Sequence, residues 1–302
     1  MVEHKAKKAM ILLHSPCFTL ACSWQWLQFL VANSSDCCNK CWMFEVITLA
    51  SGSDGNATLV RNETATFLID AGLSARQLTA RLLATGISPE QLSGILLTHE
   101  HGDHTSALKV LLMRHQLPVF CNSLTARALH DAGLVHENWK LFQTGSEFSL
   151  GSFTIRAFSV PHDAADPVGF RISSSGSCFG VLTDLGYATR LVFEMLRGIQ
   201  ALLIETNHDE ELLQKDARRP WSVKQRILSR HGHLSNAAAA RVLSELEAPL
   251  QHIIIGHLSR DCNSPQLALD SVARALAIAG CSAQASVHCA GQDAPSPALL
   301  IT

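Results

Sequence analysis

The densest run of chemistry-bearing side chains in the sequence is Ile95-Leu96-Leu97-Thr98-His99-Glu100-His101-Gly102-Asp103-His104. An apolar stretch that reads as a buried strand ends directly in three histidines and an aspartate. A His-x-His pair at a strand exit presents two imidazoles from a nearly fixed backbone. The Asp and His two and three positions further on fall on the first turn of the helix that follows. One short loop can therefore offer ligands to two adjacent cations, and imidazole nitrogen with carboxylate oxygen suits Zn²⁺, Mn²⁺ or Fe²⁺. The chemistry expected is hydrolysis without a protein nucleophile. Two neighbouring cations lower the pKa of a bridging water toward neutral and stabilise an oxyanion, an arrangement well matched to in-line displacement at phosphorus.

Such ligands need a rigid frame, and the chain from Met43 onward has the patterns to build one. Strands are expected at 44–49, at 57–60 and 65–69 as a hairpin around Arg61-Asn62-Glu63, and at 94–97, 118–121, 148–150, 153–159, 168–173, 178–182, 201–205 and 252–255, with 286–288 and 298–302 as last strands. Helices are expected at 74–85, closed by Gly86, and at 107–116, 123–132, 188–196, 210–216, 223–229, 236–246 and 265–278. Strands mixed with helices that cover both faces imply a layered α/β domain. Of the 302 residues, 47% are apolar and 17% charged, which excludes a disordered chain. The net charge of −2 excludes a passive nucleic-acid coat but not a local basic patch.

The run His99-x-His101-x-Asp103-His104 resembles the signature of the metallo-β-lactamase superfamily, and the resemblance extends over about residues 43–280. It implies a four-layer αβ/βα sandwich and two divalent metal ions. Asp70, after Phe67-Leu68-Ile69, matches an aspartate that supports the ligand loop from behind without binding metal. His162 in Ser159-Val160-Pro161-His162 matches the third histidine of the first metal. Asp184 in Leu182-Thr183-Asp184 matches the bridging carboxylate, and His257 in Ile255-Gly256-His257 the last histidine of the second metal. The implied sets are His99, His101, His162 and Asp184 on one metal, and Asp103, His104, Asp184 and His257 on the other.

Four further loops are similar to the YycJ/WalJ-type branch: Ser51-Gly52-Ser53-Asp54-Gly55-Asn56, Glu205-Thr206-Asn207-His208-Asp209, Gly232-His233-Leu234-Ser235-Asn236 and Gly256-His257-Leu258-Ser259-Arg260-Asp261-Cys262-Asn263. That branch is bacterial and cytoplasmic and is associated with 5′-to-3′ exonuclease activity on double-stranded DNA. The resemblance implies phosphodiester hydrolysis with Mn²⁺ or Zn²⁺, DNA as substrate and no stable membrane association. The residues fit such a role. Ser51, Ser53 and Asn56 lie on a loop whose N–H groups suit an anion, with a plain tight turn as the other reading. Ser235 and Asn236 stand at a helix start that could hold a phosphate or simply cap the helix. His233 could donate a proton to a leaving alkoxide, which places it with Asp103 and Asp184 as catalytic. Arg260 and Ser259 follow a ligand, and the Arg260 fork suits phosphate or an ion pair with Asp261. Glu205 reads as support for a ligand histidine, and Asn207 and His208 as lining of the cleft. A basic run of Lys215, Arg218, Arg219, Lys224, Arg226 and Arg230 around Trp221 could track a DNA backbone or form a solvated helix face. The competing function on the same frame is hydrolysis of a small ester, thioester, lactone or cyclic phosphodiester.

Residues 1–42 differ from the rest, with five of the ten cysteines and three of the five tryptophans. They read as an extension outside the catalytic domain of 43–302. A targeting segment and a metal knuckle on Cys38-x-x-Cys41 are the alternatives.

Overall fold

The computed structural model describes residues 44–278 and 285–302. The readings made for residues 1–42, the Cys38-x-x-Cys41 pair included, lie outside the described residues. In chain order the first half runs β1 (Phe44–Ala50), β2 (Ala57–Arg61), β3 (Thr66–Ile69), α1 (Ala75–Ala84), β4 (Gly94–Leu96), α2 (Gly102–Thr105), α3 (Leu108–Arg114), β5 (Val119–Asn122), α4 (Ser123–Asp131) and β6 (Trp139–Phe142). The second half runs β7 (Glu147–Leu150), β8 (Phe153–Ser159), β9 (Val168–Ser174), β10 (Ser177–Leu182), α5 (Arg190–Leu196), β11 (Ala201–Glu205), α6 (Glu210–Lys215), α7 (Trp221–Ile227), α8 (Asn236–Glu245), β12 (His252–Gly256), α9 (Pro265–Ile278), β13 (Ser286–Cys289) and β14 (Leu299–Ile301).

The strands form two seven-stranded sheets, in the orders β14-β1-β2-β3-β4-β5-β6 and β13-β12-β11-β10-β9-β8-β7. Their inner faces meet in an aromatic layer, where Phe153 stands edge-on to Phe44 and Phe67 at ring-centroid distances of 5.4 and 5.1 Å. The outer face of the first sheet is covered by α1, α3 and α4 through Leu78, Leu82, Leu111 and Leu129. The outer face of the second is covered by α5, α8 and α9 through Val192, Leu196, Leu243 and Val272. The result is the expected four-layer αβ/βα sandwich. In the second sheet, β10, β11 and β12 run parallel and are buried along almost their whole length, as their unbroken apolar sequences require.

Local chemistry sets most boundaries. Ser74 caps α1 by accepting from the Gln77 N–H, and Gly86 follows it with φ 79°. Helix α3 stops at Arg114, short of the expected 116, because Leu117 precedes Pro118 and is pushed toward extended backbone. Strand β6 was not expected. Its short Trp-Lys-Leu-Phe sequence has no clean alternation, and it forms by docking parallel to β5 at the sheet edge.

The strands deliver predicted ligands and their supporting acids at their C-terminal ends. Asp70 follows β3, His99 lies three residues past β4, His162 three past β8, Asp184 two past β10 and His257 directly after β12, while Glu205 ends β11. Asp70, Asp184 and His257 all have left-handed backbone, with φ of 60°, 50° and 54°. That conformation costs of order 1–3 kcal/mol in a residue with a side chain and concentrates at functional sites.

Candidate metal centre

The loops after β4, β8, β10 and β12 bring the seven predicted ligands together in two groups. His99, His101 and His162 each offer a nitrogen within 4.8 Å of the others, and so do the donor atoms of Asp103, His104, Asp184 and His257. Asp184 links the groups: its Oδ1 is 3.9 Å from His162 Nε2 and 3.3 Å from His257 Nδ1, and its Oδ2 is 2.9 Å from His104 Nε2.

Four of the five histidine rings are fixed from behind, which decides where their lone pairs point. Asp70 Oδ1 accepts from the Thr98 N–H at 2.9 Å, and Asp70 Oδ2 lies 2.8 Å from His104 Nδ1. Thr98 Oγ1 ties Asp70 Oδ2 (2.9 Å) to His99 Nδ1 (3.0 Å). His162 Nδ1 donates to the Gly232 carbonyl at 3.0 Å. His257 Nδ1 lies 3.3 Å from Glu205 Oε2. What remains facing inward is a set of acceptors. His104 Nε2 faces Asp184 Oδ2 and, at 3.5 Å, Asp103 Oδ2, while His257 Nε2 faces Asp103 Oδ2 at 3.4 Å. Asp184 Oδ2 and His99 Nε2 are buried with no hydrogen-bond partner. Acceptors converging on acceptors repel unless something positive lies between them, so the donor set fits divalent cations. In the chain alone a proton has to serve. Burial pulls the His104 and His257 imidazoles down, but Asp184 and the other neighbouring carboxylates outweigh it and raise both, His257 to about 10.

In a third possible grouping, Asp184, Glu205, His233 and His257, Glu205 is already saturated by hydrogen bonds. Glu205 Oε1 accepts from the N–H groups of Leu185 (2.7 Å) and Leu234 (3.1 Å), and Oε2 lies 3.0 Å from His233 Nδ1. Burial opposes ionisation of Glu205, yet His233 and His257 hold its carboxyl down at about 2. Burial likewise opposes the His233 imidazolium, and the Glu205 charge outweighs it and raises the pKa. With Nδ1 so engaged, Nε2 of this partly exposed ring is the atom left to meet a ligand.

The residues read as substrate contacts divide by burial. Ser51, Asn56, Asn207, His208, Ser235, Asn236 and Ser259 are buried, and the side chains of all but His208 are engaged within the chain. Ser51 Oγ accepts from the His257 N–H (2.7 Å) and donates to Asn56 Oδ1. Asn56 Nδ2 lies 3.2 Å from His104 Nε2, and Asn207 donates to the His257 carbonyl (3.0 Å). Ser235 caps α8 and donates to Glu210, Asn236 pairs with Asn263, and Ser259 accepts from the Cys262 N–H. Of these, Ser51, Asn56 and Asn207 bond candidate ligand residues, and the others bond neighbouring loops and helix ends. His208 is 1% exposed with both ring nitrogens unpartnered, so it does not line an open cleft. Ser53 is exposed. Arg260 is also exposed and bridges Asp54 (2.6 Å) and Asp293 (3.0 Å) beside a cavity of about 620 Å³ that reaches Ser51; Asp261, its partner in the alternative reading, pairs with Arg218 and Arg219 instead.

The basic run is largely neutralised. Arg218 and Arg219 pair with Asp216 and Asp261, Lys215 with Glu211, and Arg226 with Asp163, while Lys224 is buried and donates to the Gln214 carbonyl. Arg230 instead lies over the Tyr187 ring. Sequence reasoning missed Thr98, although its place before the first histidine at a strand exit was a usable signal, and it missed the Gly232 carbonyl, which leaves no trace in residue type.

Comparison with known proteins agrees with this architecture. The beta-lactamase superfamily domain matches residues 65–256, and the chain belongs to this superfamily. The similarity is closer still to one branch: exodeoxyribonuclease YycJ of Bacillus anthracis is 37% identical over 231 residues, covering 76% of this chain and 87% of that one. Exodeoxyribonuclease WalJ of Streptococcus pneumoniae is 34% identical over 261 residues, covering 84% and 97%. The chain is thus of the YycJ/WalJ type. Among solved structures, the metallo-beta-lactamase fold protein YhfI from Bacillus subtilis superposes with a TM-score of 0.66 at 16% identity, over 84% of this chain and 99% of that one, a likeness of fold.

Proposed function

We propose that residues 43–302 form a metal-dependent phosphodiesterase that degrades DNA as a 5′-to-3′ exonuclease, with two divalent cations, Mn²⁺ or Zn²⁺, held by His99, His101, His162 and Asp184 and by Asp103, His104, Asp184 and His257. The observation that carries the reading is the convergence of buried acceptor atoms on Asp184, with the His233–Glu205 pair beside it. The relatives' names support DNA as the substrate.

Bound cations would supply Lewis acidity and a water activated near neutral pH. The chain's own residues do the rest. Asp70 and Thr98 fix the tautomer and direction of His104 and His99. Glu205 keeps the His233 Nδ1 proton in place, so Nε2 can hand a proton to the departing 3′ oxygen as the P–O bond breaks. Asp103 and Asp184 balance the charge of the cations and position them. Among the described residues no helix is long and apolar enough to cross a membrane.

The deciding experiment measures Mn²⁺-dependent hydrolysis of linear duplex DNA by the wild type and by Asp103→Ala, beside a thioester and a lactone. Release of nucleotides from 5′ ends, lost in the variant, is expected. Activity confined to the small esters, or DNA cleavage that survives the substitution, would overturn the reading.

A further inference from the structure

Beside the candidate metal centre, Tyr187 and Arg230 lie against each other. Tyr187 is the only tyrosine of the chain and stands three residues past Asp184. Arg230 stands three residues before His233. At about 3.6 Å per residue, each backbone lies within roughly 11 Å of a residue at the centre. The Arg230 guanidinium carbon sits 4.4 Å from the centroid of the Tyr187 ring. The two loops also touch through their backbones: a Cβ on Gly186 would fall 2.4 Å from the Arg230 carbonyl, so only glycine permits the approach. Tyr187 is half-buried and Arg230 exposed. Arg230 differs from Arg218, Arg219 and Arg226 in having no carboxylate partner among the described residues.

An aromatic ring with an arginine laid on it presents a flat, charged plate to solvent. A guanidinium so held loses little further freedom on binding, and its plane stacks on π-faces such as nucleobases. We propose that Tyr187 and Arg230 form a stacking platform for the base of the nucleotide next to the scissile phosphodiester. Arg230 is the contacting residue and Tyr187 the positioning residue beneath it. The platform is tolerant of sequence, since every base offers a π-face. It rests on the nuclease reading, because that reading places a nucleotide at the centre.

The test separates plane from charge. Arg230→Lys keeps the charge and loses the plane, and Tyr187→Leu removes the support. On linear duplex DNA with an intact terminal base, both variants are expected to raise KM about tenfold with little change in kcat, within the range seen for loss of one base stack. On a duplex whose terminal nucleotide is abasic, the wild type itself is expected to show the raised KM, with no further rise in the variants. Wild-type KM in Arg230→Lys, or a wild-type KM indifferent to the missing base, would overturn the platform. A second readout needs no catalysis. With one tyrosine in the chain, fluorotyrosine labelling gives a single ¹⁹F resonance from Tyr187. A short single-stranded oligonucleotide should shift it, and an abasic one of equal length should not. An equal shift with both, or none, overturns the platform even if DNA is cleaved. A base-dependent shift in a chain that cleaves no DNA sustains the platform while the nuclease reading falls.

Discussion

Glu205 and His233 are joined side chain to side chain, Oε2 to Nδ1, at 3.0 Å. The same oxygen lies 3.3 Å from His257 Nδ1, so one carboxylate orients both a candidate ligand histidine and the proposed proton donor. Glu205→Gln keeps the shape. Its amide oxygen can still accept from the Leu185 and Leu234 N–H groups, but its NH₂ then faces two ring N–H groups. A fall in kcat of about a hundredfold is expected, with KM and folding little changed, as for loss of a general acid. Steady-state kinetics check this; wild-type kcat would remove Glu205 from the mechanism.

Metal removal is expected to abolish activity and lower thermal stability together. The inward-facing acceptors at Asp103, His104, Asp184 and His257 lose their counter-charge when the cations leave. Returning Mn²⁺ at about 100 times its Kd adds about 2.7 kcal/mol of stability by mass action, which calorimetry reads as a higher Tm. Asp103→Ala, with one donor gone, is expected to show a smaller rise. Equal rises in both chains would mean that Asp103 does not contribute to binding.

Behind His104, the Asp70 carboxylate has one oxygen on the Thr98 N–H and one on the ring. Asp70→Asn keeps the volume and weakens the hold on the ring. Metal affinity is expected to fall about 10–100-fold, as for other supporting partners of ligand histidines. Titration calorimetry with Mn²⁺ measures it, and an unchanged Kd would show that the ring is held by packing alone.

How far the sequence revealed this site depended on where each residue's partner lay. His99, His101, Asp103 and His104 share one loop after one apolar strand, so residue type and spacing sufficed. Asp70, His162, Asp184 and His257 were placed through family resemblance, because each alone is an ordinary residue at a strand end. The fold was legible wherever a strand alternated or ran apolar between turn residues, and failed at β6, which exists only by pairing with β5. Burial was the harder quantity. Ser51, Asn56 and Asn207 looked like polar loop residues available to substrate, yet their hydrogen-bond partners are backbone and side chains brought from far along the chain. No local pattern encodes that. The basic run around Trp221 was visible, but two of the acids that neutralise it, Asp163 and Asp261, come from far along the chain.

Asp216 gives a pH-dependent contribution of known sign. It accepts from the Arg218 N–H at 2.9 Å and pairs with the side chains of Arg218 and Arg219. The Arg218 backbone bond, with those pairs, holds its carboxyl well below the ordinary range. A depressed carboxyl pKa stabilises the fold fully above the unfolded value of about 3.9, and that contribution is lost as pH falls toward the folded value. The Tm gap between wild type and Asp216→Asn is therefore expected to be full from neutrality to about pH 5 and to close below about pH 3.9. A gap unchanged at acid pH would show that the bonds, and not the charge, matter.

The crossing from β13 to β14 has a mechanical consequence. Along it the Gly291 carbonyl accepts from the Ser51 N–H, Gln292 bonds Asp54, Gly55 and Arg81, and Ser296 bonds Thr48. Ser51 in turn grips the His257 backbone. Tension applied to the last strand would thus travel through two hydrogen bonds to a candidate ligand, making a C-terminal fusion a remote handle on the centre.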